Sequence, residues 1–230
     1  MDIKVIAFDA DDTLWINEPY FQEVEHKFCA LMEDYMSGHH IAKELFSTEI
    51  QNLALYGYGV KGFMLSMVET ALRISNHTVS VATIQKILDL GKELLEKPIE
   101  LLDGIELVLQ QLQPYYRLVV ATKGDLLDQE RKLEKSKLAH YFHHIEIMSD
   151  KQEKDYQALI KHLDIQPQEF LMIGNSLKSD VLPVLTLGGH AVHIPYHTTW
   201  AHEVVEHKIE YPQFKQVSSA TELLTWLLPQ

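Results

Sequence analysis

The chain contains a single cysteine, Cys29. One thiol excludes an internal disulfide framework and fits a reducing compartment. Long hydrophobic runs are also missing: Val5 to Phe8 is cut short by Asp9, and no stretch approaches membrane-spanning length. No basic segment followed by an apolar stretch opens the sequence, so the expectation is an unexported cytoplasmic protein with no membrane partner. Basic residues are scarce as well, 20 Lys and Arg against 33 Asp and Glu, for a formal net charge of −13. Neutralising nucleic-acid backbones requires a basic surface, so nucleic acid is excluded as a partner, and any bound phosphate must rely on local cations. No fixed-period repeat and no low-complexity stretch is present.

What the chain does have is 230 residues with 46% hydrophobic content, enough for a full core and for one large domain or one and a half. Short β-branched-rich runs at 3–8 (IKVIAF), 117–122 (RLVVAT), 144–148 (HIEIM), 170–174 (FLMIG) and 190–195 (HAVHIP) read as strands. Between the last four lie segments with helical spacing, at 127–138, 153–163 and 177–187. Alternating strand and helix predicts a parallel sheet with helices on its faces. Pro183 falls inside the third helical segment, where it should kink or shorten it. From Asn17 to about Pro98 the pattern stays helical without a strand. Breaks at YGYG (56–59) and SNHTVS (75–80) predict an inserted unit of four helices.

In an open α/β sheet, ligands bind outside the carboxyl ends of the strands. Those ends carry Asp9-Ala10-Asp11-Asp12-Thr13, then Thr122-Lys123-Gly124, then Ser149-Asp150-Lys151, then Asn175-Ser176 with Asp180 five residues past Asn175. All four are polar. The ordered set DADDT, ATKGD, SDK and GNSLKSD resembles the four motifs of the haloacid dehalogenase-like hydrolase superfamily, and FDADDTLW is similar to its phosphatase members. The resemblance implies a Rossmann-like parallel-sheet core with helices on both faces, formed by 1–15 and 99–230, plus an inserted α-helical cap domain at 16–98. It also implies that Asp9 is the nucleophile, Asp11 the general acid and base, Thr122 and Lys151 phosphate ligands, and Asn175 with Asp180 the metal end. Three positions depart from the family pattern. Asn175 stands where aspartate is common, which removes a charge but keeps an oxygen donor. Asp12 replaces a glycine, where positive φ is uncomfortable. Lys123 replaces an asparagine, and its ammonium either assists phosphate binding or points to solvent.

The chemistry can also be reasoned from the residues. Side chains two apart on an extended chain point the same way, so Asp9 and Asp11 can flank one reacting centre. An ionised Asp9 can attack phosphorus and form an aspartyl-phosphate, while a protonated Asp11 donates to the leaving oxygen and later takes a proton from water. Two like charges about 4 Å apart repel by roughly 4 kcal/mol at an effective dielectric near 20, and Asp180 adds to this. A divalent cation held by Asp9, Asp11, Asn175 and Asp180 resolves the conflict, and oxygen ligands beside a phosphate suit Mg2+. Lys151 and Thr122 balance charge on the phosphoryl group, with Lys154 competing for the lysine role.

The expectation is therefore a magnesium-dependent phosphohydrolase acting on a small phosphorylated molecule. A catalytically weak phospho-ligand binding protein, a phosphorylation-dependent signalling protein, a phosphomutase and a dehalogenase stand as alternatives. Among the thirteen histidines, His193, His197, His202 and His207 show no tight ligand pair for zinc. The segment at 195–203 could border the site or serve only as a loop anchored by Trp200. Trp15, Tyr20 and Phe21 could contact substrate, though aromatic residues at such spacing usually pack.

Overall fold

The computed structural model describes residues 2–228. Six strands, β1 (Val5–Phe8), β2 (Arg117–Lys123), β3 (His144–Met148), β4 (Phe170–Gly174), β5 (His190–His193) and β6 (Phe214–Gln216), form one sheet in the order β3-β2-β1-β4-β5-β6. Every neighbouring pair is parallel. The chain divides into two compact units. One comprises the residues up to Glu18, Ile99–Lys123 and the chain from Gln129 onward; the other is Pro19–Pro98 together with Gly124–Asp128.

In the first unit the central strands are continuous apolar runs because both faces are covered. Ile6 and Phe8 of β1 turn into a cluster with α5 (Ile105–Leu112), Leu133 and the C-terminal Leu223 and Leu227. Val5 and Ala7 turn the other way, into a cluster with Tyr156, Leu159 and Ile160 of α7 (Glu153–His162) and Val184 of α8 (Leu182–Thr186). Burying such apolar side chains contributes about 1.5–3 kcal/mol each, which is why β1 is fully buried from end to end. β3 lies at a sheet edge and is correspondingly mixed, with Glu146 half-buried and Ile145 exposed.

The second unit is built from α1 (Glu18–Leu31), α2 (Gly38–Tyr56), α3 (Val60–Ile74) and α4 (Val81–Leu95), of which α1 starts one residue before the unit does. Its core is their apolar stripes, including Val24, Phe28, Ile41, Leu45, Phe63, Met67, Ile87 and Leu94. Ser80 caps α4 by accepting from the Thr83 amide at 3.0 Å.

The strand assignments need small adjustments: β1 begins at Val5 and β5 ends at His193. Helix α6 (Leu126–Ser136) and α7 fall where the spacing puts them. The 177–187 segment is not one helix. It opens as a π-type turn, Leu177–Val181, and continues as the short α8, with Pro183 in its first turn. Proline has no amide hydrogen to give to a preceding turn, so it is tolerated only at such a start. Three elements have no counterpart in the sequence reading: α5, β6 and α9 (Leu224–Leu227). Among the described residues, no helix is long and apolar enough to cross a membrane.

Candidate active site

The strand order places the site. From β1 the chain steps outward to β2 and β3, then returns to lay β4 on the other side of β1, so the loops leaving β1 and β4 diverge at their carboxyl ends. The Asp9 amide closes the junction by donating to the Ile173 carbonyl at 2.9 Å.

Asp9, Lys151 and Asp180 are all buried and form a chain of charge. The Lys151 ammonium donates to Asp9 Oδ1 and, at 2.7 Å, to Asp180 Oδ1. Lys154 is exposed on α7. Burial opposes a charged Lys151, yet Asp180 and Asp9 hold it above the usual lysine range. Burial also pushes the Asp9 carboxyl up to about 7, against the pull of Lys151 and with Asp180 and Asp11 adding to it. Asp180 Oδ2 accepts from the Ser176 amide at 2.9 Å. Its neighbour across the turn is Gly174, where any Cβ would overlap the Asp180 carboxylate. Here glycine is required by close approach, since only a bare backbone lets the carboxylate lie flat against the end of β4.

A second cluster gathers on the other oxygen of Asp9. Thr13 Oγ1 donates to Asp9 Oδ2 at 3.2 Å and receives the Asn175 amide N–H at 3.1 Å. The outer atom of the Asn175 side-chain amide lies 3.2 Å from Asp9 Oδ2, from Thr13 Oγ1 and from the main-chain carbonyl oxygen of Asp11. Turned nitrogen-inward, the amide donates to them. Turned oxygen-inward, it joins Asp9 Oδ2 and the Asp11 carbonyl as a third oxygen, a donor set that fits a hard divalent cation.

Asp11 turns its main-chain carbonyl, and not its carboxylate, toward this cluster. Its carboxylate accepts from Trp15 Nε1 at 2.8 Å, Lys132 Nζ at 2.9 Å and Gln129 Nε2 at 2.9 Å, so only its carbonyl faces Asn175. Among the described residues, no three His, Cys, Asp or Glu side chains converge as metal ligands, because the oxygens gathered here include an amide and a main-chain carbonyl. Lys132 also donates to Asn17 Oδ1 at 2.7 Å. Thr122 is buried beside this set, its Oγ1 accepting from Gln129 at 3.3 Å. Lys123 is neither aimed at Asp9 nor given up to solvent: its ammonium meets Glu203 and, at 2.8 Å, Ser179 Oγ.

Asp12 adopts a φ of 61° despite its side chain. Its carboxylate accepts from the amides of Asn17 at 2.8 Å and Glu18 at 2.9 Å, which caps the start of α1 and offsets the strained backbone. His193 meets the Asn175 carbonyl at 3.0 Å and Gln216 at 3.2 Å, His197 meets Thr198, and His202 meets Lys178.

Sequence reasoning missed Lys132, Gln129 and Glu203. Residues 129 and 132 share a face of α6, a pattern readable from spacing, but which face meets Asp11 depends on tertiary packing. Glu203 ends the 195–203 segment. It is buried, and that burial disfavours its charge, but the Lys123 ammonium and bonds from Lys123, Ser176 and Ser179 outweigh it and hold the carboxyl down at about 2.

A family model described as haloacid dehalogenase-like hydrolase matches residues 3–184. The chain belongs to that family. A solved haloacid dehalogenase-like family hydrolase from Xanthomonas campestris is 34% identical, with 98% of this chain and 92% of that chain covered and a TM-score of 0.88. A magnesium-bound hydrolase of the family from Bacillus subtilis shares the fold at 16% identity, with 99% of each chain covered and a TM-score of 0.67. The N-acylneuraminate-9-phosphatase of Mus musculus is 31% identical over 93 residues, a match spanning 38% of each protein. Dehalogenases are also among the haloacid dehalogenase-like structures of similar fold.

Proposed function

We propose that this haloacid dehalogenase-like hydrolase is a magnesium-dependent phosphohydrolase. In this reading it cleaves a small phosphate monoester through an aspartyl-phosphate on Asp9. The observation that carries it is the division of labour between two acids: Asp9 sits with Lys151 and Asp180, while Asp11 has a separate set of donors. A dehalogenase needs one attacking carboxylate. A phosphohydrolase needs a second acid for the leaving oxygen and for water.

Asp9 attacks phosphorus as the bond to the leaving oxygen breaks, and Asp11 gives that oxygen its proton. Asp11, then a carboxylate, takes a proton from water as the water oxygen attacks phosphorus, which releases phosphate and frees Asp9. Lys151 neutralises charge on the transferring group, and the Thr122 hydroxyl orients one of its oxygens. The Asp9 and Asn175 side chains and the Asp11 carbonyl would hold the Mg2+, with Asp180 as a further candidate ligand, and the ion would supply charge neutralisation for an anionic substrate facing an anionic nucleophile. In this reading the helical segment 16–98 is the inserted cap domain.

A screen of phosphorylated metabolites with and without Mg2+, alongside 2-haloacids, tests this reading. Phosphate release that requires Mg2+ and disappears in Asp9→Asn supports it. Halide release with no phosphatase activity would replace it with the dehalogenase reading.

A further inference from the structure

Glu203 belongs to none of the strand-end motifs. It closes a single 3-10 turn, Ala201–Glu203, in the segment after β5, yet its carboxylate is buried. A buried carboxylate is costly unless its lone pairs are filled, and here they are. Oε1 takes the Lys123 ammonium, and Oε2 takes Ser176 Oγ and, at 2.6 Å, Ser179 Oγ. The two serines are the frame of the π-type turn: the Ser179 amide donates to Ser176 Oγ at 3.0 Å, and the Ser176 amide donates to Asp180 Oδ2 at 2.9 Å. One carboxylate therefore ties the end of β2, through Lys123, to the turn that carries Asp180.

We propose that Glu203 is a positioning residue for this site. It fixes the Ser176–Asp180 turn so that Asp180 faces Lys151, and it takes up the Lys123 ammonium, making Lys123 a strut between two strand ends and not a phosphate ligand. Serine hydroxyls rotate freely, and without an acceptor that orders both of them the turn loses its two ties to the 201–203 segment, so that the Ser176 amide bonded to Asp180 is held less firmly. The structural half of the proposal stands on these contacts alone; its catalytic consequence rests on the phosphohydrolase reading.

The test uses the whole chain and the variants Glu203→Gln, Lys123→Met and the double variant. Glutamine keeps an acceptor for one serine but loses the ion pair. Hydrogen exchange is followed in peptides covering 175–182 and 195–205, with β1 as the internal standard. Glu203→Gln is expected to speed exchange in 175–182 by about tenfold or more, while β1 stays as in wild type. It should also lower kcat by about 10- to 100-fold with KM little changed, the size usual for a residue acting through another. The double variant should be no worse than Glu203→Gln alone. Lys123→Met should leave the rise in Tm caused by inorganic phosphate unchanged, whereas loss of that rise would overturn the strut assignment. Wild-type exchange in 175–182, with loosening confined to 195–205, would overturn the positioning role. If wild type turns over no phosphate ester, the function reading fails and the exchange result still decides this one. Should Glu203→Gln fail to fold, Ser179→Ala removes one hydroxyl with little change in volume and gives the same exchange readout.

Discussion

Asn175 shows how one heavy atom sets the charge of a site. With Asp9 and Asp180 ionised and Lys151 protonated, the amide leaves the inner cluster one negative charge from neutral. Asn175→Asp places another carboxylate 3.2 Å from Asp9 Oδ2. The metal-free variant is expected to lose on the order of 1–4 kcal/mol of stability and to bind Mg2+ more tightly than wild type. Thermal unfolding with and without Mg2+, together with calorimetric titration, reads both effects; unchanged values in each would count against the shared oxygen cluster. Asp11 gives a kinetic prediction. Asp11→Asn keeps the main-chain carbonyl and a partner for Lys132 but cannot carry the proton, so kcat should fall by about 10²–10⁴-fold with Mg2+ affinity close to wild type. Asp12→Ala removes the acceptor for two amides at the start of α1 while keeping the strained φ, and urea denaturation should report a loss of about 1–2 kcal/mol.

At the scale of elements, what could be read from the sequence depended on how much of each element is buried. The strands β1 to β5 were legible because apolar runs bounded by polar ends have few other interpretations, and the helices of the second unit were legible from their apolar stripes. β6 has three residues and only Phe214 turned inward, too short a pattern to show a period. The polar ends identified Asp9, Asp11, Lys151, Asn175 and Asp180 as site candidates, since charge after a buried strand has few structural uses. Glu203 and Lys132 stayed hidden because each meets its partners across long sequence gaps, and a charged residue in a loop or on a helix ordinarily reads as solvated. The 3-10 turn at Ala201–Glu203 carries its own pH signature. The folded Glu203 carboxyl is held near 2, below its ordinary 4.5, so the ionised form is favoured by folding. That stability is present in full above about pH 4.5 and drains away as pH falls toward 2. Urea midpoints measured from pH 6 down to 3 should therefore fall more steeply in wild type than in Glu203→Gln.

Over the whole molecule, a formal net charge of −13 confronts any anionic substrate with a repulsive field. Salt shortens the reach of that field, so kcat/KM for a phosphate ester should rise by about two- to threefold between low and physiological ionic strength at saturating Mg2+, and a fall would point to a local basic funnel outweighing the total. The same molecule also has a history written into its topology. Thr13 and Asn175, whose side chains meet, stand 162 positions apart, and β1 must wait for β4 before its second edge is covered. β1 is made well before β4, so its apolar flank stays exposed in the interval, and pairing over such a span is slow. The cluster around Asp9 is thus among the later contacts to close, and a polypeptide halted before residue 175 would hold Asp9 and Thr13 without the partner that follows β4.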